Sequence, residues 1–270
     1  MLTMVAATAC NEPITKEIAF VNPVLPISEE KKSLRKEIIE EHLNNCANNY
    51  PLYSQERQWC LDAGLKKDST IAYLWQQKAM PLFKQGKYEV GMEYIDKAVE
   101  IDPERWQPYR AFIKCIFAKT YKAAIVDFQD LLEKYGNRYV MDHTYQFHIA
   151  LSHLQLNEFE KAEAIFAKDL DDQAQQWGED GQHHLDLFYC GISKYEQGKW
   201  EEAIEVFDKA LKIYPNFSEV QYYKAVCLIK LKRQDEAIEL IKIAESNGLA
   251  GNTINEDNVI YERYPYQVRW

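Results

Sequence analysis

Glycine and proline are scarce in this chain, whose 270 residues include only ten Gly and nine Pro. An architecture of short strands and tight turns needs more of both, so their scarcity argues against an all-β protein. The chain also lacks any run of 18 apolar residues, which excludes a membrane-spanning helix. Positive charge is not in excess either, because 32 basic residues face 42 acidic ones, a net charge of −10. Such a surface repels phosphate backbones, and we expect no nucleic-acid partner.

Familiar catalytic and cofactor motifs are missing from the sequence. There is no G-x-G-x-x-G, G-x-x-x-x-G-K-[ST], H-E-x-x-H, G-x-S-x-G or C-x-x-C. No acid–base pair or nucleophile stands out among the carboxylates, so the sequence predicts a non-enzyme without a cofactor. His183 and His184 lie beside acidic residues, but neighbouring residues of a helix point about 100° apart. We interpret that segment as a solvated loop and predict no metal site.

Five cysteines follow residue 40, and they fall into two groups. Cys115, Cys190 and Cys227 lie among apolar residues of predicted helices, where a free thiol behaves as a small hydrophobic side chain. Cys46 and Cys60 flank the turn "NNYPLYSQ" and could form a disulfide if the flanking helices pack together. Of the two alternatives, the sequence favours a pair of free thiols.

Two segments 112 residues apart have nearly the same character: "FKQGKYEVGMEYIDKAVEIDP" from Phe83 and "YEQGKWEEAIEVFDKALKIYP" from Tyr195. Small residues recur at the matching point of further copies, with spacings of 33, 38, 41 and 34, at Gly91, Ala124, Ala162, Ala203 and Ala237. Each copy follows an earlier amphipathic helix with its own small residue. Two such helices cannot close a core alone, so each pair buries its apolar face on the next pair.

This helix–turn–helix period of about 34 residues resembles the tetratricopeptide repeat family. The resemblance implies an all-α fold, a right-handed α-solenoid of tetratricopeptide-type helix pairs. We predict an N-terminal helical pair over 28–71, five repeats within 72–247 and a C-terminal capping tail over 248–270. The predicted repeats span 72–105, 106–138, 143–176, 184–217 and 218–247. The inserts "GNRYVMD" and "QQWGEDGQHH" are expected to be loops, or helix extensions followed by loops.

The first ten residues, "MLTMVAATAC", resemble the end of a bacterial lipoprotein signal peptide, with Cys10 as the lipidated residue. Small residues precede Cys10, and residues 11–27 are polar and proline-bearing like a linker. No Lys or Arg precedes Cys10, although signal peptides begin with positive charge. The lipoprotein interpretation therefore expects a basic segment upstream of Met1. The alternative is a frayed N-terminus with an incidental cysteine.

The resemblance also implies a partner, because the first helix of each tetratricopeptide pair lines a concave groove that binds an extended peptide or a partner helix. The expected groove residues are polar with a basic spot in the N-terminal half and apolar in the C-terminal half. They are Tyr73, Gln76, Met80, Gln107, Arg110, Lys114, Phe147, Leu151, Phe188, Ile192, Tyr222 and Val226. A carboxylate clamp of the kind found in chaperone-binding members is not expected, because the Asn residues that accompany its basic residues are absent.

The sequence thus predicts a non-catalytic interaction module or scaffold for a protein or peptide. Its expected location is the periplasmic face of a bacterial envelope membrane, through a lipid anchor on Cys10. The alternative is a cytosolic adaptor or a toxin-neutralising, immunity-type protein. The C-terminal segment carries Tyr261, Tyr264, Tyr266 and Trp270, too many aromatics for a disordered end. It is expected to pack on the last repeat or to occupy part of the groove.

Overall fold

The computed structural model describes residues 27–178 and 181–270. The predicted lipidation site Cys10 and the linker up to residue 26 lie outside the described residues. Within the described ranges, no helix combines the length and the apolar character needed to cross a membrane.

The N-terminal region folds into two helices, and the second of them packs on the first helix of the first repeat. Helix α1 (Glu29–Ile39) begins at Ser28, whose side chain accepts a hydrogen bond from the Lys31 amide. It continues as a π-helical turn over Glu40–Asn44 and a 3-10 turn over Ala47–Asn49. Helix α2 (Gln55–Lys67) follows, capped in the same way by Ser54.

Those turns bring Cys46 back beside α2, where it forms a disulfide with Cys60. The sequence-based preference for two free thiols is therefore wrong. The two Cα atoms lie 5.8 Å apart, within the range that a disulfide can bridge. Sequence spacing alone could not show this, because the result depends on how tightly the chain turns after α1.

In the described part of the chain, ten further helices form five consecutive pairs. Their bounds are α3 (Ala72–Lys84) with α4 (Tyr88–Ile101), α5 (Pro103–Phe112) with α6 (Tyr121–Tyr135), α7 (Tyr145–Gln155) with α8 (Phe159–Trp177), α9 (His184–Glu196) with α10 (Trp200–Ile213), and α11 (Ser218–Lys230) with α12 (Gln234–Leu249). Helix α5 continues as a π-helical turn over Ile113–Phe117. Each helix packs on its partner in the pair and on the next helix along the chain.

Small residues are required where the helices of a pair cross. A Cβ atom on Gly91 would lie 2.5 Å from the Phe83 ring, and one on Gly191 would overlap the ring of Phe207. At the points that correspond to Gly91 in the other four pairs, Ala124, Ala162, Ala203 and Ala237 have no exposed surface. At Gly91 and Gly191 the small residue therefore lets an aromatic ring from the neighbouring helix fill the crossing.

The two inserts differ in structure. The first holds a short antiparallel ladder between β1 (Tyr139–Val140) and β2 (His143–Thr144). In the second, α8 extends to Trp177, so its first residues are helical. His183 and His184 do not lie in a solvated loop, which corrects that interpretation. His183 caps α9 through its ring nitrogen, and the ring of His184 packs 5.5 Å from that of Phe217.

Candidate binding surface

The first helices of the five pairs, α3, α5, α7, α9 and α11, form a surface that we call the first-helix face. The C-terminal tail (residues 250–270) runs along this face, beginning at the fifth pair. The Ser218 amide, at the start of α11, donates to the carbonyl of Asn252 at 2.9 Å. Further along, the Asn255 side chain lies 3.1 Å from His184 Nε2. The first part of the tail thus passes the N-terminal ends of α11 and α9.

The middle of the tail reaches the first two pairs. The ammonium group of Lys84, at the end of α3, lies 4.4 Å from the centre of the Tyr261 ring. Glu262 accepts a hydrogen bond from Tyr88 at the start of α4 and forms an ion pair with Lys119. Burial, together with the Glu262 carboxylate, raises the pKa of Tyr88 to about 12.

The last part of the tail returns to the fourth and fifth pairs. The Tyr266 hydroxyl donates to Glu196 at 2.9 Å, and Trp270 packs against Gly248 of α12. Two side chains anchor the whole segment, since Ile254 is 1% exposed and Tyr264 is 2% exposed. The tail is therefore a packed part of the structure in contact with residues of the first, second, fourth and fifth pairs.

The predicted groove residues of the N-terminal half occupy different environments. Gln76 and Gln107 are buried, whereas Tyr73 and Met80 are partly exposed. Tyr73 stacks on Trp106 with 6.1 Å between the ring centres.

The basic spot on α5 is already neutralised by an acidic side chain. Arg110 donates to both carboxylate oxygens of Asp127, at 2.9 and 2.8 Å, and Lys114 lies 2.7 Å from the same carboxylate. Arg110 also pairs with Asp96 at 2.8 Å. Asp127 is buried and lies on α6, so these ion pairs hold α5 against its partner helix. The two cations therefore have an internal anion to bind.

The predicted groove residues of the C-terminal half are mostly core. Phe147, Leu151, Phe188 and Ile192 have no exposed surface, which places them inside the protein in this conformation. Phe147, for example, packs on Phe166 and Tyr189 with ring centres about 6 Å apart, a normal aromatic contact distance.

Tyr222 and Val226 on α11 remain partly exposed. The ring of Tyr222 meets the ring of Trp270 edge-on, with 6.0 Å between their centres. Tyr189, which the sequence analysis did not select, contacts the tail directly by donating its hydroxyl to the Pro265 carbonyl at 3.0 Å.

A cluster of histidines and carboxylates lies where the tail passes β2 and α9. His143 Nδ1 is 2.7 Å from Asp186 Oδ1, and His143 Nε2 is 3.3 Å from Glu256 of the tail. Burial alone lowers the pKa of His143, but the two carboxylates outweigh it and raise the pKa to about 10. Burial and the nearby His143 charge lower the pKa of His148 to about 3.

His183 completes this cluster, with its Nδ1 3.6 Å from Asp186 Oδ1. The sequence analysis predicted no metal site at His183 and His184, and the structure places His183 beside His143. These two histidines are 40 residues apart, and the intervening α7 and α8 bring them together. No spacing rule in the sequence signals that contact.

Comparisons with known proteins agree with the helix-pair architecture. Two models described as tetratricopeptide repeat match residues 72–105 and 194–246. No curated protein matches the sequence.

Several solved structures share the fold at low identity. A tetratricopeptide repeat protein from Parabacteroides merdae ATCC 43184 is 15% identical with a TM-score of 0.62, covering 80% of each chain. PilW, described as a widely conserved type IV pilus biogenesis factor, is 13% identical with a TM-score of 0.61, covering 83% of this chain and 96% of its own. MamA from Desulfovibrio magneticus RS-1 is 12% identical with a TM-score of 0.55, covering 66% and 96%. The chain therefore contains tetratricopeptide repeats, and its fold is an all-α solenoid of tetratricopeptide-type helix pairs.

Proposed function

We propose that this chain is a non-catalytic scaffold that binds a protein or peptide partner on the first-helix face. The observation that carries the proposal is the packing of residues 250–270 against the first, second, fourth and fifth pairs and against β2. A surface that holds an aromatic segment of its own chain has the shape and chemistry to hold a similar segment of a partner. The partly exposed groove residues are the proposed contacts: Tyr73, Met80, Arg110, Lys114, Tyr222 and Val226.

Photo-crosslinking in the native host tests this proposal. A photoreactive amino acid replaces Met80 or Val226 on the first-helix face in one set of chains. In the control set it replaces Val126 on α6 or Ile238 on α12, both apolar and more than half exposed. We expect protein adducts from positions 80 and 226 and none from positions 126 and 238. Adducts that form only from the control positions would contradict binding on the first-helix face.

We further propose that the chain is an envelope lipoprotein anchored through Cys10. The apolar stretch ending in "ATAC" supports this location. The disulfide between Cys46 and Cys60 also supports it, because disulfides persist in oxidising compartments and are rare in the cytosol. The competing proposal, a cytosolic adaptor or toxin-neutralising protein, leaves the disulfide without an oxidising environment.

The intact mass of the native protein from membrane and soluble fractions distinguishes these locations. The lipoprotein proposal expects a membrane-bound species that begins at Cys10 and carries acyl chains. Replacing Cys10 with Ser is the matched control and should move the protein out of the membrane fraction. A soluble, unacylated species that retains Met1 would overturn the anchor and leave the cytosolic adaptor.

A further inference from the structure

Three side chains from two separate parts of the chain place ligand atoms near one point. His143 comes from β2, His183 from the residue that caps α9, and Asp186 from the first turn of α9. Their nitrogen and oxygen ligand atoms all lie within 4.8 Å of one another. Two imidazoles and one carboxylate make a donor set that suits zinc and neighbouring divalent transition metals, with a fourth position left for water.

Asp186 and His143 each make a second contact, which orients the atom that faces the proposed ion. Asp186 Oδ2 accepts a hydrogen bond from Gln173 Nε2 at 2.7 Å, which leaves Oδ1 facing the two imidazoles. His143 Nε2 faces Glu256 Oε1, which directs Nδ1 toward Asp186. Gln173 Oε1 also accepts from the His183 backbone amide at 3.1 Å. Metal sites in proteins orient their ligands through outer contacts of this kind.

The buried charge near this point is mostly negative. Asp169 and Asp186 are both 2% exposed, and the amide of Gln173 bridges their carboxylates. The Glu256 side chain is 10% exposed, so a third carboxylate lies at the edge of the same cluster. A divalent cation bound here would lie close to these carboxylates, and buried charges need opposite charges nearby.

We propose that His143 Nδ1, His183 Nδ1 and Asp186 Oδ1 bind one divalent transition-metal ion of the zinc type. The ion takes the place of the proton shared between His143 and Asp186, and that proton leaves to solvent. It also replaces the hydrogen bond that the Leu185 amide donates to His183 Nδ1 at 3.2 Å. The His183 side chain is 34% exposed, so the site has a path to solvent. Glu256 holds His143 from the other side, so the ion would also fasten the tail to β2 and α9.

The test uses the full chain without an affinity tag, with Cys10 replaced by Ser so that its thiol does not compete for the metal. After treatment with EDTA, the protein is dialysed against Zn²⁺, and bound metal is measured by mass spectrometry. Co²⁺ serves as a second probe, because its visible absorption reports nitrogen ligands in a tetrahedral site. We expect one ion per chain, a rise in Tm with Zn²⁺, and a tetrahedral Co²⁺ spectrum.

The variants His183→Gln and His184→Gln separate this site from general metal binding. The neighbouring His184 lies beside the tail but outside the proposed ligand set, which makes it a matched control. We expect His183→Gln to weaken Zn²⁺ binding at least about tenfold and to abolish the Tm shift, while His184→Gln behaves like the parent. Circular dichroism checks that both variants are folded. Absence of stoichiometric Zn²⁺ binding, or equal binding by His183→Gln and the parent, would overturn the proposal.

Discussion

The hydroxyl group of Tyr189 on α9 donates a hydrogen bond to the backbone carbonyl of Pro265, 76 residues later in the chain. Tyr189 is fully buried, and burial raises its pKa well above the ordinary value. A buried hydroxyl needs a partner, and here the partner belongs to the tail. The tail is therefore part of the packed core that the helix pairs build, and its removal has consequences for stability.

Removing the tail should expose apolar surface and destabilise the protein. Full burial of an aliphatic or aromatic side chain contributes about 1.5–3 kcal/mol, and the tail buries at least Ile254 and Tyr264. Truncation after Gly251 is expected to lower the free energy of unfolding by several kcal/mol and to increase binding of an apolar dye. Chemical denaturation and dye fluorescence measure both effects.

A pair of point variants makes this prediction sharper. Tyr264→Ala should lower the free energy of unfolding by about 3 kcal/mol, because it leaves a cavity in the core. Ile260→Ala lies in the same tail at a side chain that is 76% exposed, and it should change stability by no more than about 0.5 kcal/mol. Equal effects from the two variants would show that the tail does not pack as described.

Reduction of the Cys46–Cys60 disulfide should destabilise the N-terminal helices. The bond joins residues with a sequence separation of 14. A disulfide that closes a loop of about 15 residues adds about 3 kcal/mol to the free energy of unfolding. Thiol titration of the unfolded chain should find two more thiols after reduction than before. The variant Cys115→Ser, at a buried free thiol, is the control and should not change that difference. Equal thiol counts before and after reduction would contradict the disulfide.

The ion pairs of Asp127 should matter more than those on the surface. Asp127→Asn leaves Arg110 without its bidentate partner and Lys114 without its anion in a partly buried setting. Loss of one partner of a buried ion pair costs about 3–5 kcal/mol, and partial exposure of the two cations places the expected loss at about 3 kcal/mol. Glu104→Gln removes the exposed pair with Arg138 and should have little effect. Urea denaturation of the two variants makes the comparison.

Stability at acid pH should depend on Glu163. Burial raises the pKa of Glu163, but hydrogen bonds from Lys194, Lys199 and Gln197 outweigh it and lower the pKa to about 2. Because the folded-state pKa is depressed, the stabilisation is present above the unfolded-state pKa and is lost as pH falls toward 2. The Tm of Glu163→Gln should therefore fall less than the Tm of the parent between about pH 5 and pH 2. Parallel curves for the variant and the parent would refute this role.

The sequence predicts the helix pairs well because their signal is local and repeated. Gly91 and Ala203 lie at the same point of two pairs, where Gly91 leaves room for the Phe83 ring and Ala203 has no exposed surface. The surface of the solenoid is harder to predict, since it depends on contacts between distant parts of the chain. Phe147 and Phe188 looked like groove residues on the family pattern, yet they are fully buried.

Two other features depend on contacts between residues far apart in the chain, which the sequence does not predict. The cluster of His143, His183 and Asp186 forms only because α7 and α8, which lie between His143 and His183 in the chain, pack as a pair. The contact between Lys84 and Tyr261 of the tail joins residues 177 positions apart and follows no periodic pattern. The aromatic content of the last residues indicated that they pack, but it did not indicate where.

The most direct test of the account is a distance measurement between the tail and the first pair. Spin labels attached through ketone-bearing amino acids at positions 85 and 260 avoid the native cysteines, and both positions are exposed. Because Lys84 and Tyr261 are in contact, the account predicts a short, narrow distance distribution that broadens in the Tyr264→Ala variant. A broad, long distribution in the parent chain would contradict the placement of the tail along the first-helix face.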